Sequence, residues 1–124
     1  MSYNNARSIG NIGENAVCDF LVRNGYEIIK RNFTIRGGEI DIIAMKGDVV
    51  AFVEVKTRKP NSLEDGESAI TYRKKSLIVK TAEAYVHKFG RDDDMYRFDV
   101  AIVTCDRGVI KKIKYYAGAF DASK

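Results

Sequence analysis

Apolar residues recur along this chain with two different spacings, and the points where the spacing changes divide it into seven elements. Between Asn4 and Arg23, the residues Ile9, Ile12, Ala16 and Phe20, with Val17 and Leu21 beside them, form one stripe at helical spacing. Asn24-Gly25 ends that helix, because glycine adopts the left-handed backbone found past a helix C-terminus at little cost. Tyr26 to Ile35 predicts a strand, bent at Lys30-Arg31-Asn32, and Arg36-Gly37-Gly38 predicts a turn. Glu39 to Met45 and Val49 to Thr57 predict two more strands around a tight Lys46-Gly47-Asp48 hairpin. A loop from Arg58 to Ser68 follows and holds the only proline, Pro60. Helical spacing returns from Thr71 to Phe89, with Leu77, Ile78, Thr81, Ala82, Tyr85, Val86 and Phe89 facing the core. After an acidic turn from Gly90 to Met95, two strands are predicted, Arg97 to Thr104 and Val109 to Tyr116, joined at Asp106-Arg107-Gly108.

The order helix, three strands, helix, two strands predicts an α/β fold. An antiparallel meander, a crossover helix and a parallel strand make a mixed sheet of about five strands with helices packed on it. At 124 residues the chain is one domain, residues 1–124, with a single core. Hydrophobic and charged fractions of 45% and 31% are those of a globular protein in water. No apolar run reaches the ~20 residues that span a bilayer. The stretch Met1 to Arg7 lacks the apolar segment of a secretory signal, so the expected setting is cytoplasmic, without a membrane partner. Cys18 and Cys105 lie too far apart in sequence to be a metal-ligand pair and read as free, packed thiols.

Against this background, charges inside the strands stand out. Asp41 interrupts Glu39-Ile40-Asp41-Ile42-Ile43-Ala44, and Glu54-Val55-Lys56 ends Val49-Val50-Ala51-Phe52-Val53. Desolvating an unpaired ion is expensive, so charges in such strands need a purpose. Side chains alternate across a strand, which puts Glu39 and Asp41 on one face and Ile40 and Ile42 on the other. Phe52, Glu54 and Lys56 likewise share a face. Symmetric pairing about the hairpin sets Asp41 opposite a residue near Val53, so Asp41 and Glu54 converge once a small offset or bulge is allowed. Mg²⁺, with Mn²⁺ as an alternative, prefers oxygen ligands and keeps several waters. Asp41, Glu54 and the Val55 carbonyl would hold it and leave positions for a phosphate oxygen and a water. Lys56 would steady that water or the anionic transition state. Glu14 on the first helix is a candidate further ligand or base. The single histidine, His87, argues against a histidine-built site.

Three stretches carry a family resemblance: Gly38-Glu39-Ile40-Asp41-Ile42-Ile43-Ala44, Phe52-Val53-Glu54-Val55-Lys56-Thr57-Arg58 and Arg97-Phe98-Asp99-Val100. Together with Gly13-Glu14, they resemble the YraN-like family of bacterial proteins. That family is regarded as a branch of the PD-(D/E)xK nuclease superfamily, close to archaeal Holliday-junction resolvases. The resemblance implies a restriction-endonuclease-like fold in which Asp41, Glu54 and Lys56 are the D…ExK core. It matches Glu14 to the acidic residue on the first helix of resolvase-like members, and Lys74 to a basic position on the second. Ile40 stands where the superfamily's proline precedes the motif aspartate. The implied activity is Mg²⁺-dependent endonuclease hydrolysis of DNA, branched recombination intermediates included, with a homodimer implied by the resolvases.

Net charge +4 and a sequence pI near 9.1 suit a polyanionic partner. Arg36, Arg58, Lys59, Arg73 and Lys74 are the candidate nucleic-acid contacts, forming a cationic rim around an acidic centre. Lys111, Lys112 and Lys114 read as solubilising surface. Asp99 reads as the partner of Arg97, His87 as a surface residue, and the tyrosines (Tyr3, Tyr72, Tyr96, Tyr115 and Tyr116) as packing. Glu39 stays open between an accessory role and a solvated one. The plain alternative for Asp41, Glu54 and Lys56 is a salt-bridge cluster on a solvated sheet face, worth little energetically. The rival functions are a non-catalytic DNA-binding or scaffolding protein that keeps the fold, and a nuclease acting on RNA.

Overall fold

The computed structural model describes residues 6–61 and 70–122, with side chains from residue 11 onward. Tyr3, the side chain of the stripe residue Ile9 and most of the predicted loop after Pro60 fall outside what is described. Five strands and two helices follow in the predicted order: α1 (Ala6–Arg23), β1 (Glu27–Ile35), β2 (Gly38–Lys46), β3 (Val49–Arg58), α2 (Tyr72–Phe89), β4 (Met95–Asp106) and β5 (Val109–Phe120). They build one mixed sheet of order β1-β2-β3-β4-β5. Every neighbouring pair is antiparallel except β3 and β4, which run parallel on either side of the α2 crossover.

Each helix buries one face of the sheet. α2 covers a cluster that includes Ile40, Ile43, Val50, Phe52, Phe98 and Val100, with Ile78, Ala82 and Tyr85 from the helix. Phe52 sits at its centre, edge-on to Tyr85 at 5.8 Å and tilted against Phe98 at 5.5 Å. α1 covers Ile42, Ala44, Ala51, Val53, Ala101 and Val103 with Val17 and Leu21. Full burial of such aliphatic and aromatic side chains contributes ~1.5–3 kcal/mol each. Thr71 caps α2, its hydroxyl accepting from the Lys74 N–H at 3.1 Å. Gly13 lets α1 lie directly on β3: a Cβ there would overlap the Thr57 hydroxyl.

Within β2, strict alternation fails at one place. Ile40 belongs to the cluster under α2 and Ile42 to the cluster under α1, so these two do not share a face as the spacing predicts. The register sets Arg31 opposite Ile42 and Phe33 opposite Ile40, which leaves Asn32 opposite Asp41. Asn32 has φ 53, a left-handed conformation that asparagine tolerates. Both strands turn over by one position there, and Asp41 lies at the turn-over point. β5 is longer than its apolar pattern suggests. It continues to Phe120 through Gly118, whose φ of 63 marks an irregularity in the β4–β5 ladder. Among the described residues, no helix is long and apolar enough to cross a membrane.

Candidate active site

The kink in β2 frees Asp41 to act across the sheet. The β2–β3 ladder is regular from Lys46↔Val49 to Ile42↔Val53. Continued one step, this register would give the Val55 N–H to the carbonyl of residue 40. Instead, that N–H donates to Asp41 Oδ2 at 2.8 Å. The aspartate side chain takes over from the backbone where the strands part. N–H and C=O of one strand residue face the same neighbour, so the Val55 carbonyl opens onto the same gap.

Glu54 lies beside this gap and is only 4% exposed. Its carboxyl is pushed up to about 8, first by burial, then by the charge of Asp41 and a hydrogen bond shared with it. Two ammonium groups pull the other way. Lys74 Nζ and Lys56 Nζ each lie 3.5 Å from Glu54 Oε2. Glu14 reaches the same region from α1. Its carboxyl is also raised, by burial and by Asp41, with Arg31 opposing. Arg31 Nη2 is 3.6 Å from Glu14 Oε1, an ion-pair distance too long for a hydrogen bond, and Glu14 Oε1 is buried without one.

These groups line or border a cavity of about 650 Å³, with Glu14, Asp41, Val55 and Lys56 at one end. Arg58 and Lys59 form part of its wall, so two of the five predicted cationic contacts face it. Lys74 instead stands at Glu54, on the α2 side. Arg36, in the β1–β2 turn, and Arg73, in the first turn of α2, are exposed and line no part of the cavity. Glu39 is exposed, and its charge acts on Glu14. His87 is exposed, Cys18 is half-buried and Cys105 buried, both as free thiols.

The donor set suits a hard divalent cation: two close carboxylates, a backbone carbonyl freed from the ladder and, nearby, a buried Glu14 oxygen without a hydrogen bond. Among the described residues, no three histidine, cysteine or acidic side chains converge closely enough to hold a metal by themselves. A cation held here would therefore draw on two carboxylates at most from Asp41 and Glu54, its other positions falling to the carbonyl and to water.

A second charged centre was only partly foreseen. Asp99 is fully buried on the α1 face and accepts four hydrogen bonds. Arg97 supplies two through Nε and Nη2, both at 2.8 Å; the Tyr115 hydroxyl donates at 2.5 Å and the Gly118 N–H at 2.9 Å. Arg97 Nη2 also donates to the Tyr26 hydroxyl at 2.7 Å. Arg97 is held firmly protonated by its bonds to Asp99, and burial with the Asp99 charge pushes the Tyr115 hydroxyl far up. The Arg97–Asp99 pairing agrees with the sequence reading. The sequence reads Tyr115 as packing and assigns Tyr26 no such role, although a glycine at 118 inside a strand is the kind of signal that marks a bulge.

A model of the uncharacterised protein family UPF0102 matches residues 13–103. The chain belongs to UPF0102. This is the YraN-like family of the resemblance, a PD-(D/E)xK nuclease-like group. A UPF0102 protein of Caldicellulosiruptor bescii is 39% identical over 118 residues, covering 94% of this chain and 99% of that protein. One from Trichlorobacter lovleyi is 40% identical over 116 residues, 93% of this chain and 91% of its own length. A relative in Clostridium tetani is 43% identical over 99 residues, 80% of each. For this UPF0102 chain the matched span runs from Gly13 to Val103, so it takes in Glu14, Asp41, Glu54, Lys56 and Asp99.

The raised Glu54 carboxyl gives this UPF0102 protein a pH signature. A folded-state pKa near 8 against an ordinary 4.5 means that the fold binds one proton more than the unfolded chain between those values. Metal-free stability is then full below about pH 4.5 and falls as pH rises through about 8. Thermal unfolding in EDTA across this range should show that fall, and Glu54→Gln should flatten it. Parallel profiles for the two proteins would contradict the assignment.

Proposed function

We propose that this protein is a Mg²⁺-dependent nuclease that hydrolyses phosphodiester bonds in DNA. The observation that carries the reading is the meeting of Asp41 and Glu54 at the β2–β3 gap, with the Lys56 ammonium beside them. A surface salt-bridge network would leave Glu54 solvated and ionised; here it is buried against a second carboxyl. A bound divalent cation supplies charge neutralisation at the phosphoryl oxygens and makes a neighbouring water more acidic.

The chain's own groups do the rest. Asp41, Glu54 and the Val55 carbonyl would hold the cation. Lys56, whose ammonium lies 3.5 Å from Glu54 Oε2, is placed to orient the attacking water or to offset the charge growing on phosphorus. Glu14, with one oxygen lacking a hydrogen bond, takes the proton that this water gives up. The new P–O bond forms in line with the bond that breaks, and solvent protonates the leaving alkoxide. The basic wall at Arg58 and Lys59 carries the flanking backbone. The assembly expected from the resolvase-like members is a two-fold dimer, which sedimentation would detect.

One observation favours a second reading, a DNA-binding protein without catalysis. Lys56, Lys74 and Arg31 already pair with the carboxylates, so the site is close to charge balance without a metal. Calorimetric titration with Mg²⁺, alongside incubation of branched, single-stranded and linear duplex DNA in Mg²⁺, Mn²⁺ and EDTA, separates the two. The nuclease reading expects metal binding and metal-dependent cutting. DNA binding with neither would leave the second reading, and cutting confined to RNA panels would replace the substrate.

A further inference from the structure

The cavity does not end at the carboxylates. Its lining continues from Lys56 to Pro60 at the end of β3 to Asp106, Arg107 and Gly108 of the β4–β5 turn, which follows the neighbouring end of β4. Asp106 pairs with Val109, so Arg107 and Gly108 form a two-residue hairpin loop. Both have positive φ, 53 and 81, the arrangement that favours Asn-Gly or Gly-Gly. Among the described residues, three non-glycines have positive φ: Asn32, Asn61 and Arg107. Asparagine visits this region readily, and arginine does not. The hairpin thus keeps a costly residue at the rim of the site. Strain held at a functional edge is a reason to look for a ligand. The Arg107 guanidinium is exposed, and among the described residues no carboxylate pairs with it.

We propose that Arg107 is a phosphate-binding residue of the substrate groove, holding a DNA backbone phosphate beside the one engaged at Asp41 and Glu54. The assignment rests on the nuclease reading and adds the path of the strand. The strand would run from the acidic groups at the β2–β3 gap, past Arg58 and Lys59 at the end of β3, to the β4–β5 turn, the order in which the sheet sets these elements side by side. An arginine fork suits a phosphate, which it can grip through two parallel N–H donors. A planar grip from a rigid two-residue turn also orients the strand, which a long flexible lysine would do less well.

The test is binding of a short fluorescent DNA duplex in EDTA, followed by anisotropy between about 50 and 200 mM salt, the range over which phosphate contacts are read. Arg107→Gly removes the guanidinium and suits the left-handed backbone. It should bind DNA roughly five- to tenfold more weakly, with the salt slope reduced by about one, while melting at a higher temperature than the parent. Arg107→Lys should keep most of the slope. Lys80→Ala, which removes a charge from exposed α2 surface, should change neither slope nor affinity. If the parent binds DNA and Arg107→Gly matches it, the Arg107 assignment falls and the nuclease reading stands. If Lys80→Ala weakens binding as much as Arg107→Gly, the effect is general charge loss and the assignment also falls. If the parent binds no DNA at all, both fall together.

Discussion

Asp41→Asn should abolish Mg²⁺-dependent cleavage, lowering the rate by roughly 10³-fold or more. The amide keeps the shape and can still accept the Val55 N–H at the β2–β3 gap, so the strands need not separate further. What it loses is the negative charge that, in the proposed function, would share a cation with Glu54. Loss of rate should therefore come with loss of metal binding in calorimetry, and with a Glu54 carboxyl that titrates lower, because the Asp41 charge is one cause of its elevation. Lys56→Ala should separate these effects. It removes an ammonium 3.5 Å from Glu54 Oε2 without removing a ligand. Metal should bind at least as well, since a competing cation is gone, yet cleavage should fall by ~10²–10³-fold. A preparation in which both variants cut DNA at the parental rate would show that the activity belongs to a contaminant.

Asp99→Ala should produce the largest loss of stability. The carboxylate is completely buried and accepts from Arg97 twice, from Tyr115 and from Gly118. Removing it leaves a guanidinium, a hydroxyl and a backbone N–H without their acceptor. Breaking one side of a buried ion pair costs about 3–5 kcal/mol. For a domain of this size, that is a fall of roughly 10–20 °C in melting temperature. Asp99→Asn should recover part of it, because the amide oxygen can still accept from two of the donors. The check is thermal or denaturant unfolding of the three proteins. A melting temperature within about two degrees of the parent for Asp99→Ala would show that the network contributes little net stability.

The elements were legible because their periodicities are clean. The apolar stripe of α1, the Gly47 hairpin and the unbroken apolar run of β3 each state their structure locally. The approach of Asp41 to Glu54 was legible too, since hairpin register converts sequence distance into spatial distance. The hidden part was the turn-over at Asn32 and Asp41. Alternation predicts one face for Ile40 and Ile42, and the fold puts them on two. A left-handed Asn32 on the neighbouring strand accompanies this; the bend at Lys30-Arg31-Asn32 is legible in the sequence, the exchange of faces is not. The pairing of the cations was legible only in part: Lys74 reads as part of the basic rim, but not as a partner of Glu54. Arg31 and Lys74 lie far in sequence from Glu14 and Glu54, and only the packed helices bring them together. The four-way contact at Asp99 needs a strand irregularity at Gly118 to aim a backbone N–H inward. Such contacts follow from how strands bend, which a two-residue period does not record.

One missing methyl group governs how far the first helix can reach. Because position 13 carries only hydrogen, α1 settles onto the Thr57 hydroxyl, and the next residue along, Glu14, is lowered to the mouth of the cavity. Any larger side chain there would act as a shim, lifting the acid away from the other two carboxylates while leaving every charged residue of the centre in place. The arrangement at the end of the sheet can therefore be detuned from the helix position next door, by bulk alone.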